Sequence, residues 1–286
     1  MGLAKIGMAY MVARWEEKSI ASAARKRGAD ITLIHLSSFH AVIGDRELGG
    51  KLPGVVLQRS VSHYVAVSSS LVLESLGLRV VNRGQATAAA NDKVWSLALL
   101  RAAGIPTPVT GVAFGSEAAG RLADEIGYPV VVKPTNGSWG RMVALADDWE
   151  DLRVILEHRE YMPQPEMKVH LIQEYVRKPG RDIRVTVVGG RPVAAIYRYS
   201  SHWITNTARG GKAEPAPVEG ELGELAVRAA EAVGLEIAGV DLFEDPERGY
   251  LVNEVNPVPE FKNTVAVTGV DVAAEIVDYL LELARR

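Results

Sequence analysis

The sequence predicts an α/β domain of Rossmann-like type followed by an α+β body. Three observations carry this. Over roughly the first 80 residues, short apolar strands alternate with charged helical stretches. After Lys168 the strands follow one another with no helix between them. The 286 residues amount to about two domains at roughly 150 residues each.

In chain order, Lys5–Tyr10 and Ile31–Leu36 predict strands around a charged helix, Glu16–Arg27, and the apolar alternation of Met1–Val12 reads as a first strand and not as a signal peptide. Val55–Gln58 and Arg79–Val81 are two further short strands flanking the serine-rich Ser62–Leu76 segment, which reads as helical. This βαβ rhythm implies a small parallel sheet with helices on its faces. A break falls at Asn82–Gln85. A helix then starts at Asn91 or Asp92, both good N-caps, and ends at Gly104, with Pro106 and Pro108 forbidding its resumption. Ser116–Ile126 is a helix, Val130–Val132 a buried strand running into Lys133-Pro134, and Asp148–His158 a helix. Val169–Tyr175, Ile183–Val188 and Val193–Tyr199 predict three strands of one antiparallel sheet, with Gly189-Gly190 as the hairpin turn between the last two. Helix Glu221–Val233, strands Ala238–Phe243 and Tyr250–Glu254, and helix Val270–Ala284 complete the chain.

Composition excludes several functions. The chain has no cysteine, which removes disulfides, thiolate catalysis and Cys-based metal sites. No stretch reaches the ~18 apolar residues of a bilayer span, so a cytoplasmic protein is expected. The net charge of −3 argues against a nucleic-acid binder. Charge is unevenly spread: residues 1–85 hold eleven Lys/Arg against six Asp/Glu, and the remainder 21 against 29. A basic front on an acidic body suits an anionic substrate or an acidic partner, or is chance surface variation. Glutamine is rare (Gln58, Gln85, Gln164, Gln173), in keeping with a thermophile.

Three groups of residues carry chemistry. Lys133 opens a turn-rich loop, Pro134–Arg141, whose free N–H groups can wrap phosphate oxygens. It is neither a Walker A loop nor a G-x-G-x-x-G fingerprint, and an ordinary hairpin is the alternative. Lys93 lies in a helix's first turn, where the dipole favours anions, so a bound anion sharing the site would account for it; a solvated lysine is the alternative. Asp241, Glu254 and Asn256 offer hard oxygen ligands on neighbouring strands, suited to Mg²⁺ bridging nucleotide phosphates, with solvated loop acids as the alternative. Arg184 shares a strand face with Asp182; Arg209 lies in a glycine-rich loop and Arg198 on the next strand. All three guanidinium groups suit carboxylate or phosphate. The six histidines show no ligand spacing, and core or surface roles fit each, His202 excepted.

Taken in order, these pieces resemble the ATP-grasp ligases, across nearly the whole chain and most strongly from Asn82 to Asn263. The resemblance implies an N-terminal α/β domain (1–85), a central α+β lobe (86–170) and a C-terminal antiparallel-sheet lobe (171–286), with ATP held between the last two. It further implies phosphate contacts from Lys93 and Lys133 and a loop over the phosphates at Gly137, Ser138, Trp139, Gly140, Arg141, Met142 and Val143. Adenine would meet Gln173, Glu174, Tyr175 and Val176. Asp182 would lie near the ribose, Arg184 near the transferred phosphoryl group, and Arg198 and Asn206 at further nucleotide contacts. Asp241, Glu254 and Asn256 would hold two Mg²⁺ ions.

Arg181-Asp182-Ile183-Arg184-Val185 and Asn253-Glu254-Val255-Asn256-Pro257 resemble the branch of ribosomal-protein glutamate ligases. Gly137–Arg141, His202–Gly211 and Asn256–Thr264 are similar to the ligases of the amino-group-carrier pathway of lysine biosynthesis (LysX type). In that family an Asn-Thr pair, here Asn263-Thr264, goes with α-aminoadipate, and Gly-Phe with the glutamate-using paralogue of arginine biosynthesis. The implied reaction joins the α-amino group of α-aminoadipate to the side-chain carboxylate of the C-terminal glutamate of a small acidic (LysW-like) carrier, through an acyl phosphate. Arg209 would stabilise the oxyanion or the leaving phosphate. Homo-oligomers are common in the family. A glutamate-using or bifunctional paralogue, a ribosomal-protein glutamate ligase and a non-catalytic nucleotide-binding regulator remain the alternatives.

Overall fold

The computed structural model describes residues 4–137, 140–200, 202–203, 205 and 212–286. The first strands and helices are β1 (Lys5–Tyr10), α1 (Trp15–Lys26), β2 (Asp30–His35), α2 (Arg46–Lys51), β3 (Val55–Gln58), α3 (His63–Ser75), β4 (Arg79–Val81) and α4 (Gly84–Asn91). All four strands are parallel, in the order β2-β1-β3-β4. The period-two pattern of β1 explains its two buried faces. Ile6 and Met8 meet α1 and the far C-terminus of the chain, whereas Ala9 joins Val56, Leu73 and Val80 under α3. The serines of α3 bond back to the helix, Ser69 to Val65 O and Ser75 to Val72 O, so a polar sequence still forms the helix.

The middle elements are α5 (Lys93–Ala102), β5 (Thr110–Ala113), α6 (Ser116–Ile126), β6 (Val130–Lys133), β7 (Ala144–Ala146), α7 (Trp149–Tyr161) and β8 (His170–Glu174). Asp92 caps α5 by accepting from the N–H groups of Val94 and Trp95, and Asp148 caps α7 through Asp151 N–H. The sheet runs β5-β8-β6-β7, antiparallel throughout, with Ala119, Ala123, Leu152 and Leu156 of α6 and α7 packed on it.

The last part holds β9 (Arg181–Val188), β10 (Arg191–Tyr199), β11 (Lys212–Ala216), α8 (Glu221–Val233), β12 (Ile237–Asp245), β13 (Gly249–Asn256), α9 (Lys262–Thr268) and α10 (Val272–Arg285). Its sheet is antiparallel, in the order β11-β10-β9-β12-β13. Gly189 and Gly190, with φ of 58° and 74°, make the β9–β10 turn expected of a Gly-Gly pair. Among the described residues no helix is long and apolar enough to cross a membrane.

The structure departs from the sequence reading in four places. The three strands after Lys168 do not form one sheet. β8 pairs with β5 and β6, and only β9 and β10 join the last sheet, so the central sheet runs past residue 170 to Glu174. Asn82–Gln85 is no plain break, because α4 begins at Gly84 and its alanines pack under α8. Helices α4 and α5 share a core with the last sheet, Ala86, Ala90 and Leu100 meeting Val185, Val240 and Val252, although the 86–170 segment assigned them to the central lobe. The expected C-terminal helix is α10, capped by Asp271, but a short helix that the sequence reading did not assign, α9, precedes it.

The first and last parts share one core. Phe261, Val272, Ile276 and Leu280 pack with Ile6, Ile20 and Val55. Asn82, 2% exposed, fastens this junction. Its Oδ1 accepts from the N–H groups of Glu236 (2.8 Å) and Ile237 (3.0 Å), and its Nδ2 donates to the carbonyls of Ile237 (2.7 Å) and Pro257 (2.8 Å). Removing a side chain that satisfies several buried backbone groups is costly. Asn82→Ala is expected to lower stability by about 3 kcal/mol, read as a shift in the urea midpoint at unchanged slope. A loss below about 1 kcal/mol would show that other groups replace the bridge.

Candidate active site

The register of the last sheet sorts its side chains into two faces. Residues directly opposite one another on antiparallel strands point the same way. Arg198 lies opposite Asp182, Arg184 opposite Asp241, Asp241 opposite Glu254, and Gly239 opposite Asn256. These residues share one face, while Ile183, Val185, Val240 and Val255 fill the core beneath α8. The charged face lines a cavity of about 590 Å³ that is also lined by residues of the central lobe and the N-terminal domain.

Charges there are paired, as burial requires. Arg184 clamps Asp241 bidentately at 2.7 Å for each bond, and Arg198 clamps Asp182 at 2.6 and 2.9 Å while reaching Asp241 at 3.0 Å. Burial alone would push the Asp241 carboxyl up, but Arg184 and Arg198 outweigh it and hold the group below its ordinary value. Thr205 donates to Asp182 and accepts from Lys178 Nζ at 2.6 Å. Lys178 also lies 4.7 Å from the centre of the Phe243 ring, and burial pushes its ammonium down to about 8.

A β-bulge opens between Asp241 and Leu242, where Asn253 has no partner in the β12–β13 register. Asn253 and Glu254, adjacent in sequence, consequently both line the cavity. Lys133, at the end of β6, donates to Asn253 Oδ1 (2.9 Å) and Gln173 Oε1 (2.6 Å). Burial pushes the Lys133 ammonium down to about 7, against the attraction of Glu254. Lys93 stands in the first turn of α5, as expected, donating to Gly137 O (2.7 Å) and lying 3.5 Å from Glu254. Its backbone N–H donates to Thr135 O, which ties the helix start to the Pro134–Gly137 loop.

The Gln173–Val176 segment is pinned from outside. Glu174 Oε1 accepts from Val109 N–H and Arg248, both at 2.7 Å, and Glu174 N–H donates to Val109 O. Its carboxylate is therefore occupied, which leaves Gln173–Val176 to meet a ligand mainly through the backbone. The Tyr175 ring stands edge-on to Trp203, 6.3 Å between centroids.

Most residues expected from the sequence thus meet in one cavity: Lys93, Lys133, Gln173–Val176, Asp182, Arg184, Arg198, Asp241, Glu254, Asn256 and the Asn263-Thr264 pair, with Gly137, Gly140, Arg141 and Val143 at its edge. Met142 is the exception, half exposed and not lining the cavity. Ser138, Trp139, Asn206 and Arg209 lie outside the described residues. Arg184, expected beside a phosphoryl group, is bonded to Asp241 through Nε and Nη2, one edge of its guanidinium. Sequence reasoning missed Asn253, Lys178 and Thr205, and from the N-terminal domain Arg14, Trp15, Glu16 and Ser60. The polar residues next to Glu254 and Val176 were the only available signals, and neither bulge nor domain docking can be read from spacing.

The donor set fits Mg²⁺. Asp241 and Glu254 are neighbouring carboxylates, and Asn256 turns its Nδ2 to Gly239 O (3.2 Å), leaving Oδ1 as its acceptor. Among the described residues no three His, Asp or Glu side chains make a self-sufficient cage. Two carboxylates and an amide leave coordination positions for phosphate and water oxygens, the way Mg²⁺ is usually held.

Comparison with known proteins agrees with this arrangement. Residues 6–89 match the LysX preATP-grasp domain and residues 90–280 the RimK-like ATP-grasp domain. The chain is 42% identical over 284 residues to the α-aminoadipate–LysW ligase LysX of Sulfurisphaera tokodaii, covering 98% of this chain and 99% of the relative. It is 35% identical to the glutamate–LysW ligase ArgX of the same organism, covering 95% and 96%. Among solved structures, a RimK domain ATP-grasp protein from Sphaerobacter thermophilus superposes with a TM-score of 0.76 at 27% identity, covering 96% of this chain and 99% of that one. The fold, the order of the cavity residues and these matches agree that the chain belongs to the RimK-like ATP-grasp family, with a preATP-grasp domain of the LysX kind at its front.

Proposed function

We propose that the protein is an ATP-dependent carboxylate–amine ligase that joins the α-amino group of α-aminoadipate to the side-chain carboxylate of the C-terminal glutamate of a small acidic carrier protein, as a step of lysine biosynthesis. The single observation that carries this reading is the near full-length, 42% identity to an α-aminoadipate–LysW ligase. The paired carboxylates and lysines of one cavity supply the chemistry that such a ligase needs.

A carboxylate oxygen is a poor leaving group, so the acid has to be activated. One carboxylate oxygen attacks the γ-phosphorus, the bond to the β-phosphate oxygen breaks, and ADP leaves behind an acyl phosphate. The amine then attacks the acyl carbon, inorganic phosphate departs, and the amide forms with loss of the amine proton. ATP supplies the phosphoryl group, and Mg²⁺ neutralises charge on its oxygens.

The chain's own residues bind and orient. Lys93 and Lys133 reach the phosphate end from opposite sides, and Asp241, Glu254 and Asn256 would hold the metal. Arg184 and Arg198 keep Asp241 ionised and aimed, so Arg184 acts here as a positioning residue. Gln173–Val176 would receive the adenine, with Asp182 and Asn206 at further nucleotide contacts. Arg209 would face the oxyanion or the leaving phosphate. Thr264 is 1% exposed, lines the cavity, and has no hydrogen-bond partner for its hydroxyl among the described residues, which suits a specificity position in the Asn263-Thr264 pair.

Three outcomes test this reading. Glu254→Gln should abolish carrier-dependent ADP release while leaving the melting midpoint within a few degrees of wild type; normal turnover would remove Glu254 from the metal site. Asp241→Ala is a poorer probe, since it leaves Arg184 without its carboxylate and Arg198 with Asp182 alone, and is expected to cost about 3–5 kcal/mol of stability. Replacing Asn263-Thr264 with Gly-Phe should shift preference from α-aminoadipate toward glutamate, read as the mass gained by the carrier. An unchanged preference would sink the specificity assignment.

The third outcome concerns pH. Lys133 titrates near 7 in the free protein because burial disfavours its charge. A bound phosphate favours the charge and raises that value, so nucleotide binding above pH 7 takes up a proton. Affinity for Mg-ATP should therefore weaken by up to about tenfold per pH unit as pH rises from about 7 through the bound-state value. Titration calorimetry in two buffers of different ionisation enthalpy at pH 8 should report proton uptake, and Lys133→Arg should abolish it. Equal heats in both buffers would exclude the linkage.

A further inference from the structure

The nucleotide and metal residues occupy the β9–β13 and β6–β8 sides of the cavity, and a third side is built by the N-terminal domain. Its strand order, β2-β1-β3-β4, has a reversal between β1 and β3: the chain leaves β1 to build one side of the sheet and leaves β3 to build the other. In open parallel sheets, ligands bind in the crevice outside the carboxyl ends of the strands at such a reversal. Here the segments leaving β1 and β3 carry Arg14, Trp15, Glu16 and Ser60, and all four line the cavity.

Ser60 is the informative one. It is 2% exposed, and its hydroxyl has no hydrogen-bond partner among the described residues. Its backbone N–H is already satisfied by Gln58 Oε1 at 2.8 Å. Leaving a buried hydroxyl unpaired costs stability, so a hydroxyl that lines a cavity implies a partner brought by a ligand. The surroundings hold its backbone in place. Arg59 donates to Glu17 (2.9 Å) and to Pro259 O (3.1 Å), and Glu16 Oε1 accepts from the N–H groups of Phe261 and Lys262, both at 3.3 Å. These bonds join the segment after β3 to the Pro257–Thr264 segment, which brings the second buried unpaired hydroxyl, that of Thr264, to the same cavity.

We propose that Ser60 is a substrate-binding residue whose hydroxyl donates a hydrogen bond to a carboxylate of the incoming amino acid. This rests on the ligase reading above, in which the amino acid is the nucleophile and brings two carboxylates. Lys262 adds positive charge to this part of the cavity, beside Arg14, whose guanidinium is shared with Glu17 and Glu260, and the Glu16 carboxylate offers a counterpart for the ammonium group of the same molecule. The carrier's own carboxylate belongs elsewhere, at the phosphate end, where it is activated.

The test compares wild type with Ser60→Ala in carrier ligation, using the amino acid that wild type ligates, α-aminoadipate or glutamate. KM for the amino acid is expected to rise about tenfold or more, the loss typical of a hydrogen bond to a charged group, with KM for ATP and for the carrier within twofold of wild type. The melting midpoint of free Ser60→Ala should equal or exceed that of wild type, because the substitution removes an unpaired buried hydroxyl. An amino-acid KM within twofold, a rise confined to the carrier's KM, or a midpoint several degrees lower would each overturn the subsite while leaving the ligase reading intact. Wild type that ligates neither amino acid would overturn both.

Discussion

Burial of charge on one face of the five-stranded sheet is the constraint on which this molecule depends. Arg184, Arg198, Asp182 and Asp241 are close enough that none could be held there alone, since an isolated charge out of water is too costly to keep. Pairing solves that problem and creates another property: Asp241 stays ionised despite its burial. The apolar face of the same strands does the opposite work, packing on α8 and on α4 and α5, so one set of strands carries both the core and the site.

The site is assembled from three bodies of sequence that are far apart in the chain. Lys133 at the end of β6 reaches Gln173 on β8 and Asn253 in the bulge of β13, so a single ammonium group ties the central lobe to the last sheet. Lys93 makes the corresponding link from α5 to the Pro134–Gly137 loop and toward Glu254. On the third side, Asn82, Arg59 and Glu16 each bond the N-terminal domain to the Pro257–Lys262 segment. That segment continues directly from Asn256 and ends at Asn263-Thr264, so the domain junction and this end of the cavity are one structure.

Much of this was legible in the sequence. The period of two along Asp182-Ile183-Arg184 and along Glu254-Val255-Asn256 places each polar pair on one strand face, and the ladder confirms the shared face. Asp92 announced the start of α5, and Gly189-Gly190 its hairpin, because capping and left-handed turns are local demands on one or two residues. Other features left no local trace. Asn253 faces the cavity only because a bulge interrupts the alternation that would otherwise turn it away from Glu254. Strand β8 reads like its neighbours β9 and β10 yet pairs in another sheet, since strand pattern records burial and not the partner.

The sequence by itself determined the element types, the family to which their order belongs and the residues rich in charge and oxygen that a phosphoryl-transfer site requires, because these follow from periodicity, capping and chemical type. Only the tertiary structure decided which of those charges neutralise one another, that Arg184 is held by Asp241, that α4 and α5 belong with the last sheet, and that Ser60 faces the same cavity as Thr264. Most of these are contacts between segments some 50 to 200 residues apart. They are set by packing and by the need to pair buried polar groups, and no local pattern in the chain encodes them.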